Sequence, residues 1–269
     1  MSATTYPTAP ARTVRAATVR KTLKAEWTKL RTLPSTWRTA IAAVVVAVGW
    51  SVAVVAIQLS EWHAMSAQQR GVFDPTSTSL SGVMLAAVIL GALGVRAVTG
   101  EYSTGMIRST FTAIPARRLV LAAKAATVAA FVFPITLVCE AAGFALGQHL
   151  LASKHLQVAL GDPGVLRAML FGALAVSLVA VIGVGVAGIV RHTAGATTTL
   201  VLLVVGGLTL GQLLPAGWRQ YVPGIAAQAA VTVHRSTGLL APTAAIGVLA
   251  AYAAIALGAA SIRVAHRDA

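Results

Sequence analysis

Residues 167–214 read RAMLFGALAVSLVAVIGVGVAGIVRHTAGATTTLVLLVVGGLTLGQLL. No charged side chain interrupts the run from Ala168 to Val190. A hydrocarbon core of ~30 Å requires about 20 apolar residues in helical form. A surface helix of a soluble protein keeps one polar face, and this run has none. A second apolar run follows after only Arg191, His192, Thr193 and Ala194. So short a joint predicts two antiparallel membrane-crossing helices.

The same length criterion, carried outward in both directions, predicts six spans at about 39–60, 78–99, 119–148, 167–190, 195–214 and 241–263. The expected class is all-α and integral to the membrane. The third segment is overlong and carries Pro134, which predicts a kink or tilt. Composition agrees: of 269 residues 57% are hydrophobic and only 10% charged, against ~25% charged in a soluble domain. Mean hydropathy is +0.80. Lipid is therefore the solvent for much of the chain. The formal net charge of +14 would suggest nucleic acid in a soluble protein. Here it is expected at the ends of spans, against anionic headgroups, and no nucleic-acid partner is expected.

Charge placement sets the expected orientation. With the N-terminus inside, 16 of the 21 Lys and Arg residues fall on the cytoplasmic side, and only Arg70, Lys154, Arg167, Arg219 and Arg235 fall outside. The positive-inside rule then places both termini in the cytoplasm. Residues 1–18 lack the apolar core of a signal peptide and read as a disordered basic tail. The single cysteine, Cys139, rules out an intrachain disulfide framework or a cysteine-based metal site.

Three stretches between the spans carry information. In 19–33, VRKTLKAEWTKLRTL, Val19, Leu23, Trp27 and Leu30 fall on one helical face. Arg20, Lys21, Lys24, Lys29 and Arg31 occupy the rest, with Glu26 beside Lys29. That is the pattern of a basic amphipathic helix lying at a membrane surface, and Pro34 is expected to end it. The loop 100–118 begins with Gly100, read as the end of the second span. Glu101 is placed at the N-terminus of a new short helix, with Ser103 and Thr104 as caps. Met106, Ile107 and Phe111 form an apolar stripe that reads as a docking surface. The stretch 215–240 holds Trp218 and Tyr221 as interfacial anchors, then an apolar run too short to cross, expected to be re-entrant or interfacial.

With these elements placed, the chain after residue 19 resembles the ABC-2 type permease family, the membrane subunits of certain bacterial ABC transporters. The resemblance rests on Leu23–Leu33 (LKAEWTKLRTL) and Gly100–Lys124 (GEYSTGMIRSTFTAIPARRLVLAAK). It implies that Leu23, Glu26, Trp27, Lys29, Leu30 and Arg31 belong to a cytoplasmic interface helix. It also implies that Glu101, Tyr102, Ser103, Thr104, Gly105, Met106, Ile107 and Arg108 form a coupling helix docking on an ATPase. The implied assembly is an exporter of the bacterial cytoplasmic membrane. Two permease subunits, identical or different, would pair with a separate ABC ATPase that carries ATP and Mg. No cofactor or metal is expected in this chain.

Other patterns resolve as packing. Val181–Gly188, VIGVGVAG, is a formal G-x-G-x-x-G. However, no acid occurs between Asp162 and Asp268, whereas a dinucleotide site places one ~20 residues on. Glycines that let helices approach closely explain it better. The same holds for Gly207 and Gly211, and for Ala250, Ala254 and Gly258. Leu80-Ser81-Gly82 echoes an ATPase signature, but no Gly-Lys pair for a phosphate loop exists. The six histidines form no zinc motif, and there is no nucleophile elbow. Arg96 is expected to snorkel or to pair with Glu101. Glu140 is the one acid inside a span, a candidate pathway residue. An ATP-independent transporter or channel working through Glu140 is the alternative.

Overall fold

The computed structural model describes residues 11–233 and 238–266, and for 11–17, 216, 265 and 266 it describes the backbone alone. The tail 1–10, His234, Arg235 and Arg267 lie outside the described residues.

The described chain is built from helices, and six of them are long and apolar enough to cross a membrane. In chain order the main elements are α1 (Ala11–Thr32), α2 (Pro34–Glu61), α3 (Val83–Ser103), α4 (Met106–Ala113) and α5 (Arg117–Leu151). Next come α6 (Val165–Val190), α7 (Thr193–Leu213), α8 (Pro223–Ala230) and α9 (Pro242–His266). The spans are α2, α3, α5, α6, α7 and α9. Short helical turns at Ala67–Gly71 and Pro75–Ser79 link α2 to α3.

Helix starts follow local chemistry. α1 begins at Ala11, so the part of the expected tail from 11 to 18 is helical. Pro34 occupies the first turn of α2, where its missing N–H costs nothing, so the span begins several residues earlier than the apolar run. Asp74 caps Pro75–Ser79 by accepting from the amides of Thr76 and Ser77. That separate turn delays the second span to Val83. Between α6 and α7, Arg191 turns the chain at φ 60°, and the His192 ring accepts from the Gly195 amide. The tight antiparallel joint anticipated at 191–194 is therefore present. α5 is continuous through Pro134 and about 52 Å long at 1.5 Å per residue. Within α7, Leu202–Gly206 forms a π-helical turn that the sequence pattern does not signal.

α6 is the most deeply buried span, and α7 and α9 the least. Glycine explains how α6 can sit so close to its neighbours. Gly94 on α3 lies against the Ala180 backbone carbonyl, and Gly183 on α6 lies against the Gly91 carbonyl. Gly185 and Gly188 meet Ala256 and Ala260 on α9. The glycine-rich motif thus serves close helix approach, as expected. Gly207 and Gly211 likewise face Val222 and Ile225 within the subunit. α8 is buried along nearly its whole length, with Gly224 against the Val204 carbonyl in the π-helical turn. Ile41, Val45 and Ile57 on α2 point outward, as a lipid-facing surface requires.

Gly94→Ala would drive a methyl group into the Ala180 carbonyl, an overpacking that costs ~1–3 kcal/mol. A lowered thermal midpoint of the detergent-solubilised protein is the expected outcome. Gly49→Ala, with open space at its Cα, should leave the midpoint unchanged or raise it. Equal midpoints for the two variants would contradict the packing described.

Candidate functional site

Four charged side chains from three helices meet inside the end of the bundle that carries α1. α1 supplies Glu26 and Lys29, one turn apart, α3 supplies Glu101 from its last turn, and α5 supplies Lys124. Lys29 Nζ donates to Glu26 Oε1 at 2.8 Å and to Glu101 Oε1 at 2.7 Å. Lys124 Nζ donates to Glu26 Oε2 at 2.7 Å and to Glu101 Oε1 at 2.6 Å. The two carboxylates and two ammonium groups therefore form a closed, neutral ring. Glu26, Glu101 and Lys124 are buried, Lys124 with 3% of its side chain exposed, while Lys29 keeps an open edge. Glu101 Oε2 is buried without a hydrogen-bond partner among the described residues.

The ring matters energetically because desolvating each ion costs several kcal/mol, offset only while all partners are present. Burial by itself would depress the Lys29 ammonium. Its hydrogen bonds to Glu101 and Glu26, with their negative charge, outweigh burial and hold it above the ordinary lysine value of 10.5. The stabilisation that Lys29 provides is therefore fully present below pH 10.5 and lost as pH rises through its elevated value.

Apolar contacts close around the ring. Leu30 is buried, Leu23 is half-buried, and the Trp27 ring meets Phe131 of α5 edge-on at 6.2 Å. Trp37 meets the same phenyl ring at 5.5 Å. Arg31 is exposed. α1 is thus fixed to the bundle by its Trp27 face and by its acidic side chain together.

Several expectations for the 100–118 loop need correction. Gly100 does not end the second span: α3 runs on to Ser103. Glu101 is not at the start of a new helix but in the last turn of α3, held there by the two lysines. Ser103 and Thr104 do not cap α4. Their hydroxyls donate back to the Gly100 carbonyl, and the turn is made by Gly105 at φ 72°, a conformation open to glycine. Nor is the Met106, Ile107, Phe111 stripe a free surface. Ile107 is buried, and Phe111 is half-buried beneath the Arg117 guanidinium, 5.3 Å from its ring centre. Arg117 also donates to the Val264 carbonyl at 3.1 Å. These contacts pin α4 against α3, α5 and α9. Met106, 43% exposed, and Arg108 remain on the outer side. Tyr102 is half-buried, with the Arg191 guanidinium 5.3 Å from its ring. Arg96 does not reach Glu101: it donates to Thr39 Oγ1 at 3.4 Å.

The residue that pattern reading overlooked is Lys124, counted only as a positive charge near a span end. Its signal was present, since a lone lysine inside an apolar run needs a buried acid, and Glu26 and Glu101 are the acids at hand.

Glu140 lies on α5 sixteen residues beyond Lys124, about 24 Å along the helix. It is 2% exposed, and neither carboxyl oxygen has a partner among the described residues. Its Oε1 occupies the space beside Gly172 that a larger residue would fill, next to Val231. No grouping of His, Cys, Asp and Glu that could hold a metal occurs among the described residues.

Six apolar spanning helices with an ion ring at one end define a multi-pass membrane protein. The family model described as ABC-2 family transporter protein matches residues 22–209. The chain belongs to that family, and so is a membrane transport permease component. No individually curated protein matches it. The matched stretch begins within α1 and contains all four residues of the ring.

Lys124→Met leaves two buried carboxylates sharing one lysine, and should destabilise the protein by about 3–5 kcal/mol. Adding Glu101→Gln restores charge balance and should recover part of that loss. Thermal unfolding of the purified variants measures both. Strictly additive losses would show that the four side chains do not act as one unit.

Proposed function

We propose that this chain is the permease subunit of an ATP-driven exporter in the bacterial cytoplasmic membrane, with both termini in the cytoplasm. Two such subunits form the pathway, and a separate ABC ATPase binds ATP and Mg and docks on α4. In this scheme α1 is the interface helix, α4 the coupling helix, and α8 the re-entrant segment of the outer side. The observation that carries the proposal is the buried ring of Glu26, Lys29, Glu101 and Lys124. It ties α1 and the end of α3 that precedes α4 to the first part of α5.

Force applied to α4 has a stiff route into the bundle. Ile107 and Phe111 anchor the helix from beneath, while Ser103, Thr104, Gly105, Met106 and Arg108 offer the face that an ATPase groove can hold. Tyr102, clasped by Arg191, connects the same corner to the α6–α7 joint. Glu101 acts from behind this face rather than on it. An ATP-dependent pull on α4 would then move α1, α3 and α5 as one body. Family membership supports a transport permease; the ATP-driven direction, the dimer and the docking are the proposed steps. The ATP-independent alternative would have to run through Glu140. No Lys, Arg or His pairs with that residue among the described residues, which leaves the alternative without a second charged station for a relay.

Two variants separate docking from transmission. Arg108→Glu changes an exposed charge on α4, and should reduce ATPase copurification while membrane insertion stays normal. Lys124→Met combined with Glu101→Gln keeps charge balance but removes the tie between α3, α1 and α5, and should leave the ATPase bound but uncouple hydrolysis from transport. Substrate-stimulated hydrolysis at the wild-type level in that reconstituted double variant would contradict the proposed coupling.

A further inference from the structure

α1, the first turns of α2 and the middle of α5 enclose a groove of about 540 Å³ that opens sideways from the bundle. That volume lies within the ~300–1,000 Å³ of small-molecule sites. Its walls are apolar: Trp27, Trp37, Ile41, Phe131, Pro134 and Val138 are among them. The Trp37 indole N–H is already used, donating to the Arg31 carbonyl at 2.9 Å, so the aromatic rim presents ring faces and edges. One charged side chain, Arg31, stands in the lining.

The surroundings of Arg31 specify the sign of the ligand. Arg20, Lys21, Lys24, Arg31 and Arg38 are all exposed on α1 and the start of α2. The acids of the same end, Glu26 and Glu101, are consumed in the buried ring. Among the described residues this basic rim therefore has no carboxylate left to neutralise it. The groove itself runs along the lipid-facing side of two spans, α2 and α5, for about two turns of each. An apolar trough that opens to hydrocarbon, with a lone guanidinium at its mouth, matches a molecule with an alkyl chain and an anionic head.

We infer that this groove is a binding site for one resident anionic phospholipid of the bilayer. Its acyl chain lies along Ile41, Pro134 and Val138, between the Trp27, Trp37 and Phe131 rings. Its phosphate rests on the Arg31 guanidinium. The lipid is held as a resident component by one subunit alone, because every wall of the groove comes from α1, α2 and α5 of this chain. Its chain packs on Trp27 one residue from Glu26, so an occupied groove presses α1 onto α5 beside the ion ring. The inference rests on the membrane placement of α2 and α5, and is independent of any ATPase.

The test uses the full-length protein in nanodiscs doped with a phospholipid bearing a photoreactive group on its acyl chain, as phosphatidylglycerol or as phosphatidylcholine. Peptide mapping after illumination should find the label on the α2 segment around Ile41 and the α5 segment around Val138. The anionic lipid should be favoured by about fivefold, the effect of one interfacial arginine. Arg31→Gln, an exposed change that leaves the packing intact, should cut that preference severalfold while zwitterionic labelling persists. Ile41→Trp fills the trough and should lower labelling by both lipids. Equal labelling by the two headgroups in the wild type would overturn the inference. So would a preference unmoved by Arg31→Gln. Crosslinks from the groove to a second copy of this chain would also overturn it, by assigning the groove to a subunit interface.

Discussion

A lysine that has lost water on nearly all sides can remain charged only if carboxylates surround it, and Lys124 meets that condition through residues 98 and 23 positions away in sequence. Glu26 on α1 and Glu101 on α3 must both be in place, and Lys29 must then balance the second negative charge. Each of the four is costly to bury alone and stable together. The arrangement of α1 over the bundle follows from this requirement, because an amphipathic helix resting on a membrane surface could otherwise slide or detach. Fixing the last turn of α3 also fixes the point from which the Gly105 turn launches α4.

The remainder of the fold depends on closeness without side chains. Water drives no association between helices in lipid, so contact area and backbone approach must supply it. α6 meets α3 through Gly94, Gly91 and Gly183, and meets α9 through Gly185 and Gly188. These contacts make α6 the centre of the bundle and leave α2, α7 and α9 facing outward. The outward helices are the ones available to lipid and, in the proposed assembly, to a second permease subunit.

Much of this was legible in the amino-acid order. The spans declare themselves because apolar runs of about 20 residues carry at most two charged side chains each, and the hairpin at 191–194 because nothing longer separates two of them. The amphipathic pattern of Val19, Leu23, Trp27 and Leu30 marks a helix before the first span. That helix extends back to Ala11, into the stretch expected to be disordered. What the pattern could not supply was partnership across helices. Glu26 next to Lys29 reads as a local pair, and Glu101 as a helix-terminal acid, because their decisive partner Lys124 lies on another element. Ile107 and Phe111 read as exposed because nothing local shows the Arg117 side chain and α9 covering them. The π-helical turn at 202–206 has no signal in apolar periodicity at all.

The central claim is that α1 and α4 move as a single body when an external ATPase acts. Pulsed electron–electron distance measurements test it directly, with spin labels at Thr28 on α1, Ser109 on α4 and Leu213 at the far end of α7, outside the moving body, all exposed sites. In the reconstituted complex, adding ATP should shift both distances to Leu213 while the Thr28–Ser109 distance stays unchanged. A Thr28–Ser109 distance that changes with ATP, or a full set that does not respond, would contradict the claim.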